Sequence, residues 1–331
     1  MKNKFLIYIL IFISIIYLSS CQTDVKEKIN EKDFNLSETE NIDKIIMSDK
    51  AGNIITLEKE KEIWIVNNKY LARNCQESGV QYVLKVMQDI RIKSSVSEQK
   101  TKFVLQNIAT TGVKVEIFEK KQKIKSYYIG GNTPDHHGTY MIMENAENAY
   151  VMHIPDRHPG ILNPKYKLNG NYVSENEWRE PITISISPEE ISEVKVIDFV
   201  NKEQSYTINI ENKTLTDFEN NEILIDSIGY HTFASFFSNL KCGKYKPDLD
   251  PKDFIIIKKI YITNNNQTDS LIIYDKSAIQ KTQKEFSGST VNFYAQWNNS
   301  DIVIIQNYIF NKVLITLDEI KKQNYIKTSS M

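Results

Sequence analysis

Val113-Lys114-Val115-Glu116-Ile117 carries an apolar side chain at every second position. A strand turns successive side chains to opposite faces, so this period of two predicts a half-buried strand, one face on a core and the other in water. Ile124 to Ile129 answers it after a charged break, and Thr139 to Met143 and Ala149 to His153 complete an antiparallel meander. Upstream, Val80, Val83, Leu84, Met87 and Ile90 fall at i, i+3, i+4, i+7 and i+10. That is one stripe of a helix, which Asn74 can cap and which should lie on the sheet. Before it, Ile42 to Met47, Ile54 to Glu58 and Glu62 to Val66 read as three antiparallel strands joined by hairpins.

The order recurs about 150 residues later, with Ile42 matched by Ile191, Leu84 by Phe236, Tyr140 by Tyr294 and Tyr150 by Ile304. Ile191 to Phe199, Tyr206 to Ile210 and Glu222 to Ile225 are expected strands, Phe233, Phe236, Phe237 and Leu240 an expected helical stripe. Phe254 to Thr263, Leu271 to Tyr274, Val291 to Trp297 and Ile302 to Ile305 are strands again. The fold class expected is α+β: two tandem similar units, each an antiparallel meander sheet with one packed helix, at residues 42–160 and 191–325. One large mixed sheet without internal symmetry is the alternative. Residues 161–190 join the halves and hold Leu162, Tyr166, Leu168, Trp178 and Ile184, too many apolar side chains for an exposed leash. A packed linker is expected, with Trp178 buried at a structural junction and Arg179 making a charge-assisted bond there.

The chain starts MKNKFLIYILIFISIIYLSSCQTD. Lys2 and Lys4 precede an apolar run from Phe5 to Leu18, and Leu18-Ser19-Ser20-Cys21 closes it with small residues before a cysteine. The run is shorter than the ~20 residues of a permanent span, which favours a secretory leader at 1–20 over a retained anchor. Leu-Ser-Ser-Cys resembles the lipobox of bacterial lipoproteins, which implies lipidation of Cys21 and a membrane partner reached through that lipid. Gln22, by the rule of that group, implies the outer membrane, facing the periplasm. Residues 21–41 hold few apolar side chains and read as a flexible tether. A formal charge of −1 with both signs interspersed gives no footprint for nucleic acid.

Trp64-Ile65-Val66, Tyr70-Leu71-Ala72, Tyr128-Ile129-Gly130-Gly131-Asn132-Thr133-Pro134-Asp135, Gly138-Thr139-Tyr140, Tyr150 to Pro155 and Trp178-Arg179-Glu180 together resemble the lipoprotein members of the family called "domain of unknown function 4340". Such members are typical of Bacteroidetes-type bacteria. Related domains are often encoded beside ABC-type or gliding-associated transport components, so the resemblance implies an envelope protein partner and no known reaction.

Chemistry has few footholds. Four of the five histidines, His136, His137, His153 and His158, lie close together with Asp135 and Asp156 beside them, a ligand set zinc accepts. Adjacent His136 and His137 would diverge on an extended chain, and the Gly/Pro/Asp context explains the stretch as a turn. No nucleophile elbow or phosphate loop occurs, so no catalytic residue, no metal and no cofactor is assigned. Cys75 and Cys242 leave a disulfide open. Tyr127, Tyr128, Tyr140 and Tyr150 would lie close together in the meander and form the candidate binding groove. The leading expectation is therefore a lipid-anchored, non-enzymatic binding or scaffold subunit of a bacterial cell-envelope complex, with a transport association implied by the resemblance. A periplasmic carrier of a small hydrophobic or glycan ligand is the second, and a metal-dependent hydrolase using the His136–His158 region the third.

Overall fold

A computed structural model describes residues 30–155, 160–224, 227–275 and 292–328. Two compact units emerge, the first made of the described residues up to Glu62 with Gln81–Ser174, the second of Ile63–Val80 with the chain from Glu175 onward. This division differs from the expected 42–160 and 191–325. The boundary falls inside the expected linker, and a segment of the N-terminal half belongs to the second unit.

In chain order, β1 (Ile42–Ser48) and β2 (Ile54–Glu60) lie in the first unit, β3 (Ile63–Val66) and β4 (Tyr70–Leu71) in the second. Helix α1 (Val80–Asp89), strand β5 (Arg91–Ser95), helix α2 (Glu98–Thr111) and strands β6 (Val113–Glu119), β7 (Gln122–Asn132), β8 (Thr139–Met143) and β9 (Tyr150–His153) return to the first. Its sheet runs β2-β1-β6-β7-β8-β9-β5, antiparallel throughout. Val113, Val115 and Ile117 are fully buried at its centre, as their alternation requires. The α1 stripe is also buried from Val80 to Ile90, but α1 starts at Val80, well after Asn74, because the chain first makes a turn in which the Gly79 N–H donates to the Cys75 carbonyl. Helix α2 is an addition to the one helix expected. It packs on β7 and β8 through Val104 and Ile108.

The expectation of a flexible tether at 21–41 does not hold over its described part. Phe34 and Leu36 are buried, and the Phe34 ring centroid lies 6.1 Å from those of both Tyr127 and Tyr150. Lys125 Nζ donates to the carbonyls of Asp33 (2.8 Å) and Asn35 (2.6 Å), and the Leu36 N–H donates to the Met87 carbonyl. Two apolar side chains suffice here because a buried lysine holds the backbone between them. Residues 1–29, with the leader and Cys21, lie outside the described residues.

The second unit adds β10 (Thr183–Ile184), β11 (Ile191–Asp198), β12 (Tyr206–Asn209), β13 (Thr214–Asp217), β14 (Glu222–Ile223), α3 (Ser227–Ser235) and β15 (Leu240–Lys241). It ends with β16 (Ile256–Asn264), β17 (Gln267–Tyr274), β18 (Asn292–Trp297), β19 (Val303–Gln306), α4 (Asn307–Phe310) and α5 (Leu317–Thr328). The sheet order is β14-β13-β12-β11-β16-β17-β18-β19, again antiparallel. Phe233, Phe237 and Leu240 enter the core, but not along one helix. Helix α3 stops at Ser235, and the Phe237 carbonyl accepts from Ile186 N–H instead, which starts the β10–β15 pairing that holds Leu240.

The expected linker is packed in both its parts. Leu162, Tyr166, Leu168 and Val173 are buried in the first unit, and Trp178, Ile184 and Ile186 in the second. Among the described residues no helix is long and apolar enough to cross a membrane.

Candidate functional site

The first unit contains a cleft of about 550 Å³, within the range of roughly 300–1,000 Å³ common to small-molecule sites. Four pieces of chain build it. The turn after β1 supplies Lys50 and Ala51, the C-terminal end of α2 supplies Thr110 and Thr111, the end of β7 supplies Gly131 and Asn132, and residues 163–172 supply the remainder.

Close approach of α2 to β7 depends on Gly130. A Cβ there would sit 2.5 Å from Ile108 Cγ1 and 3.1 Å from the Tyr140 carbonyl oxygen, so any side chain would push the helix away from the strand. A bulge between Ile129 and Asn132 then turns the chain end outward and places Asn132 in the cleft wall.

Asn163 is the hub beneath. Only 4% exposed, its Nδ2 donates to the Gly130 carbonyl (3.1 Å), the Gly170 carbonyl (3.3 Å) and Asn171 Oδ1 (3.0 Å). The Thr139 hydroxyl accepts from the Leu162 N–H and shares its one proton between Asn132 Oδ1 (3.0 Å) and Asn163 Oδ1 (3.3 Å). Such a satisfied buried network fixes both walls in one arrangement.

Asp49 ties the remaining turns. Its carboxylate accepts from the N–H groups of Ala51 (3.0 Å), Asn53 (3.0 Å) and Val173 (3.1 Å), and from Asn53 Nδ2 (2.8 Å). Burial alone would raise its pKa, but these donors outweigh burial and hold the carboxyl below its ordinary value. The turn that carries Lys50 is thereby fastened to the turn Asn169–Tyr172, where Gly170 adopts φ +64° and the Asn169 and Tyr172 backbones bond each other. Tyr172 stands 58% exposed at the rim.

A second cavity of about 400 Å³ lies beside Lys93, Ser95, Lys100, Thr133, Asp135 and Tyr140. It includes part of the histidine-bearing turn. Asp135 Oδ1 accepts from Thr133 Oγ1 and the His137 N–H, and Thr133 pairs with the Gly138 carbonyl, so the turn closes on itself with His136 and His137 exposed. His153 sits on β9 opposite Arg91. Among the described residues no three His, Cys, Asp or Glu side chains gather around a metal position, and His158 lies outside those residues. Cys75 and Cys242 are free thiols, and burial pushes Cys242 up to about 12.

The four tyrosines of the expected groove part between the two sheet faces. Tyr127 and Tyr150 are buried, Tyr127 donating to or accepting from Tyr166 Oη at 2.9 Å. Tyr128 and Tyr140 turn the other way, onto α2, and Lys50 Nζ lies 5.4 Å from the Tyr128 ring centroid. Adjacent strand residues 127 and 128 necessarily point apart, so a single groove of all four is not formed.

Trp178 and Arg179 both sit inside the second unit. Trp178 is fully buried, and the Arg179 guanidinium is stacked between the rings of Tyr70 (3.7 Å) and Tyr245 (3.6 Å) while Nη1 bonds Asp301 Oδ2 at 2.6 Å. The Tyr245 hydroxyl donates to the Glu180 carbonyl and completes the clamp.

Sequence reasoning missed the main cleft. Asn163, Asn171 and Tyr172 lie in what reads as linker, and Thr110 and Thr111 belong to the unexpected helix. The available signals were Asn169-Gly170-Asn171, a turn tripeptide beside an aromatic, and Gly130-Gly131 at a strand end.

A family model described as "Domain of unknown function (DUF4340)" matches residues 64–254. No curated protein matches, and no solved structure does.

Proposed function

The chain belongs to this family of unknown function, through a span that holds every residue of the main cleft except Lys50 and Ala51, and from that premise we propose a non-enzymatic binding subunit of a bacterial cell-envelope complex. In this reading acylated Cys21 holds the protein to a membrane, the outer membrane facing the periplasm, and the first-unit cleft receives the ligand. The observation that carries it is the preformed cleft. Its walls are locked by Asn163 and Asp49, and its described lining combines apolar surface from Ala51, Pro164, Leu168 and Tyr172 with amides, hydroxyls and one lysine, without a histidine, cysteine or carboxylate to act as base or nucleophile. A rigid, mainly apolar concavity with a few placed polar groups is suited to holding a molecule and not to turning it over.

The halves are read as tandem copies. Supporting this, β2-β1-β6-β7-β8-β9 and β12-β11-β16-β17-β18-β19 have the same order and sense. The first strand of each also carries an irregularity at the same place, between Ile42 and Lys44 and between Ile191 and Glu193, 149 residues apart in both cases. Independent sheets have no reason to share a bulge at one offset.

The test is a photo-crosslinking residue at position 172 in the full-length protein in its native host. A molecule captured there, and not from a crosslinker on the exposed sheet face at position 195, supports the reading, and equal capture from both positions overturns it. Labelling with an alkynyl fatty acid should be abolished by Cys21→Ala; labelling that survives the substitution refutes the anchor.

A further inference from the structure

The cleft's hydrogen-bonding groups are committed in a fixed pattern. The one hydroxyl proton of Thr110 is shared between the Gln106 and Asn107 carbonyls and that of Thr111 goes to the Asn107 carbonyl, so both hydroxyls face a ligand as acceptors. Asn132 Oδ1 already accepts from Thr139, and Asn171 Oδ1 from Asn163, which leaves the amide nitrogens of both as donors for the cleft. Donors on one wall and acceptors on the other match a group that does both, and a hydroxyl is that group.

Charge points the same way. Among the described lining residues there is no carboxylate, and the one cation, Lys50, is placed over the Tyr128 ring. Thr110 and Thr111 end a helix of fourteen residues, where the partial charge of the aligned peptides is negative. An anion would meet acceptor lone pairs and the wrong end of a helix.

Tyr172 supplies an apolar face. It projects from a turn fixed by the Asn169–Tyr172 backbone bonds and by Asp49, more than half exposed, at the rim of a cleft to which Pro164 and Leu168 add further apolar surface. Sugar rings have both surfaces such a site needs, C–H groups for the aromatic face and hydroxyls for the amides.

We propose that the ligand of this cleft is a neutral saccharide of about disaccharide size, stacked on Tyr172 and hydrogen-bonded by Asn132, Asn171, Thr110 and Thr111. The proposal rests on the cleft being the binding site. Amide shifts of Gly131, Asn171 and Tyr172 are followed in the full-length chain in detergent. The probes are a panel of neutral di- and trisaccharides, glucuronate, inorganic phosphate and a set of tetrapeptides. A neutral saccharide should move those signals saturably, and Tyr172→Ala should weaken it roughly tenfold while the melting temperature stays within error, because the side chain is exposed. Tighter binding of glucuronate or phosphate, or shifts from peptides alone, overturns the saccharide and leaves the cleft reading standing. Silence from every probe overturns both, and saccharide binding indifferent to Tyr172→Ala overturns the site as assigned.

Discussion

A buried carboxylate with four N–H donors is a device for joining chain that is distant in sequence. Asp49 and Val173 are 124 residues apart, and their bond fixes the relation between two turns that line the cleft. Glu144 does similar work at the surface. Burial would raise its pKa, but Lys114 Nζ at 2.7 Å and Lys123 Nζ at 3.0 Å dominate and bring it from 4.5 to about 2. A depressed pKa stabilises the fold above the unfolded value and loses that contribution as pH falls through the folded one. Glu144 should therefore contribute fully above pH 4.5 and progressively less toward pH 2. Urea midpoints measured across that window should fall less steeply in Glu144→Gln than in the unsubstituted protein. An unchanged slope would show that other carboxylates dominate acid unfolding. At this scale the sequence was legible only locally. The hairpin between residues 42–47 and 54–58 could be read, whereas the reach of Asp49 to Val173 is set by tertiary packing that leaves no local mark.

Helix α2 sets one wall of the cleft, and its seat on β7 depends on an absent side chain. Gly130→Ala would bring a Cβ within 2.5 Å of Ile108, and overpacking of this kind costs about 1–3 kcal/mol. Thermal unfolding should show that loss, together with shifted amide signals at Thr110 and Thr111, while shifts confined to Gly130 itself would mean that the helix is not held by this contact. The meander was readable because Val113, Val115 and Ile117 obey a period of two with one face fully buried. Helix α2 was not, because only Val104 and Ile108 of its fourteen residues are buried and Phe103 is 71% exposed. A helix lying on a sheet by two contacts has too narrow a stripe for periodicity to reveal. Strand β13 escaped for a related reason, with Leu215 its one buried side chain.

The two units are interlaced along the chain. Ile63–Val80 leaves the first unit to join the second, where Tyr70 covers one face of Arg179 and the Ala72 and Arg73 backbones pair with the Trp178–Arg179 segment. A fragment beginning at Glu175 would keep Asp301 but lose the Tyr70 face. Losing one aromatic face of a desolvated guanidinium costs about 2 kcal/mol, and the backbone bonds of Ala72 and Arg73 to the Trp178–Arg179 segment go with it, together a large share of a domain's stability. That fragment should be poorly structured alone and recover near-native circular dichroism on addition of a peptide spanning residues 63–80. Cooperative folding without the peptide would show the segment to be dispensable. This interlacing is what the expected boundaries missed, since hydropathy shows that a stretch is buried and not which core it enters.

The packing of Phe34 and Leu36 also limits how far the protein can stand from its proposed anchor. With Glu31 bonded to Glu147 and Asn148, and Asp33 and Asn35 held by Lys125, the span available between an acylated Cys21 and the folded body is about ten residues. At 3.3–3.6 Å per residue this allows roughly 35 Å at full stretch, where a tether running to residue 41 would have allowed about 70 Å. The reach falls to half, so if the proposed anchor holds, a partner would meet the cleft only close to the bilayer surface.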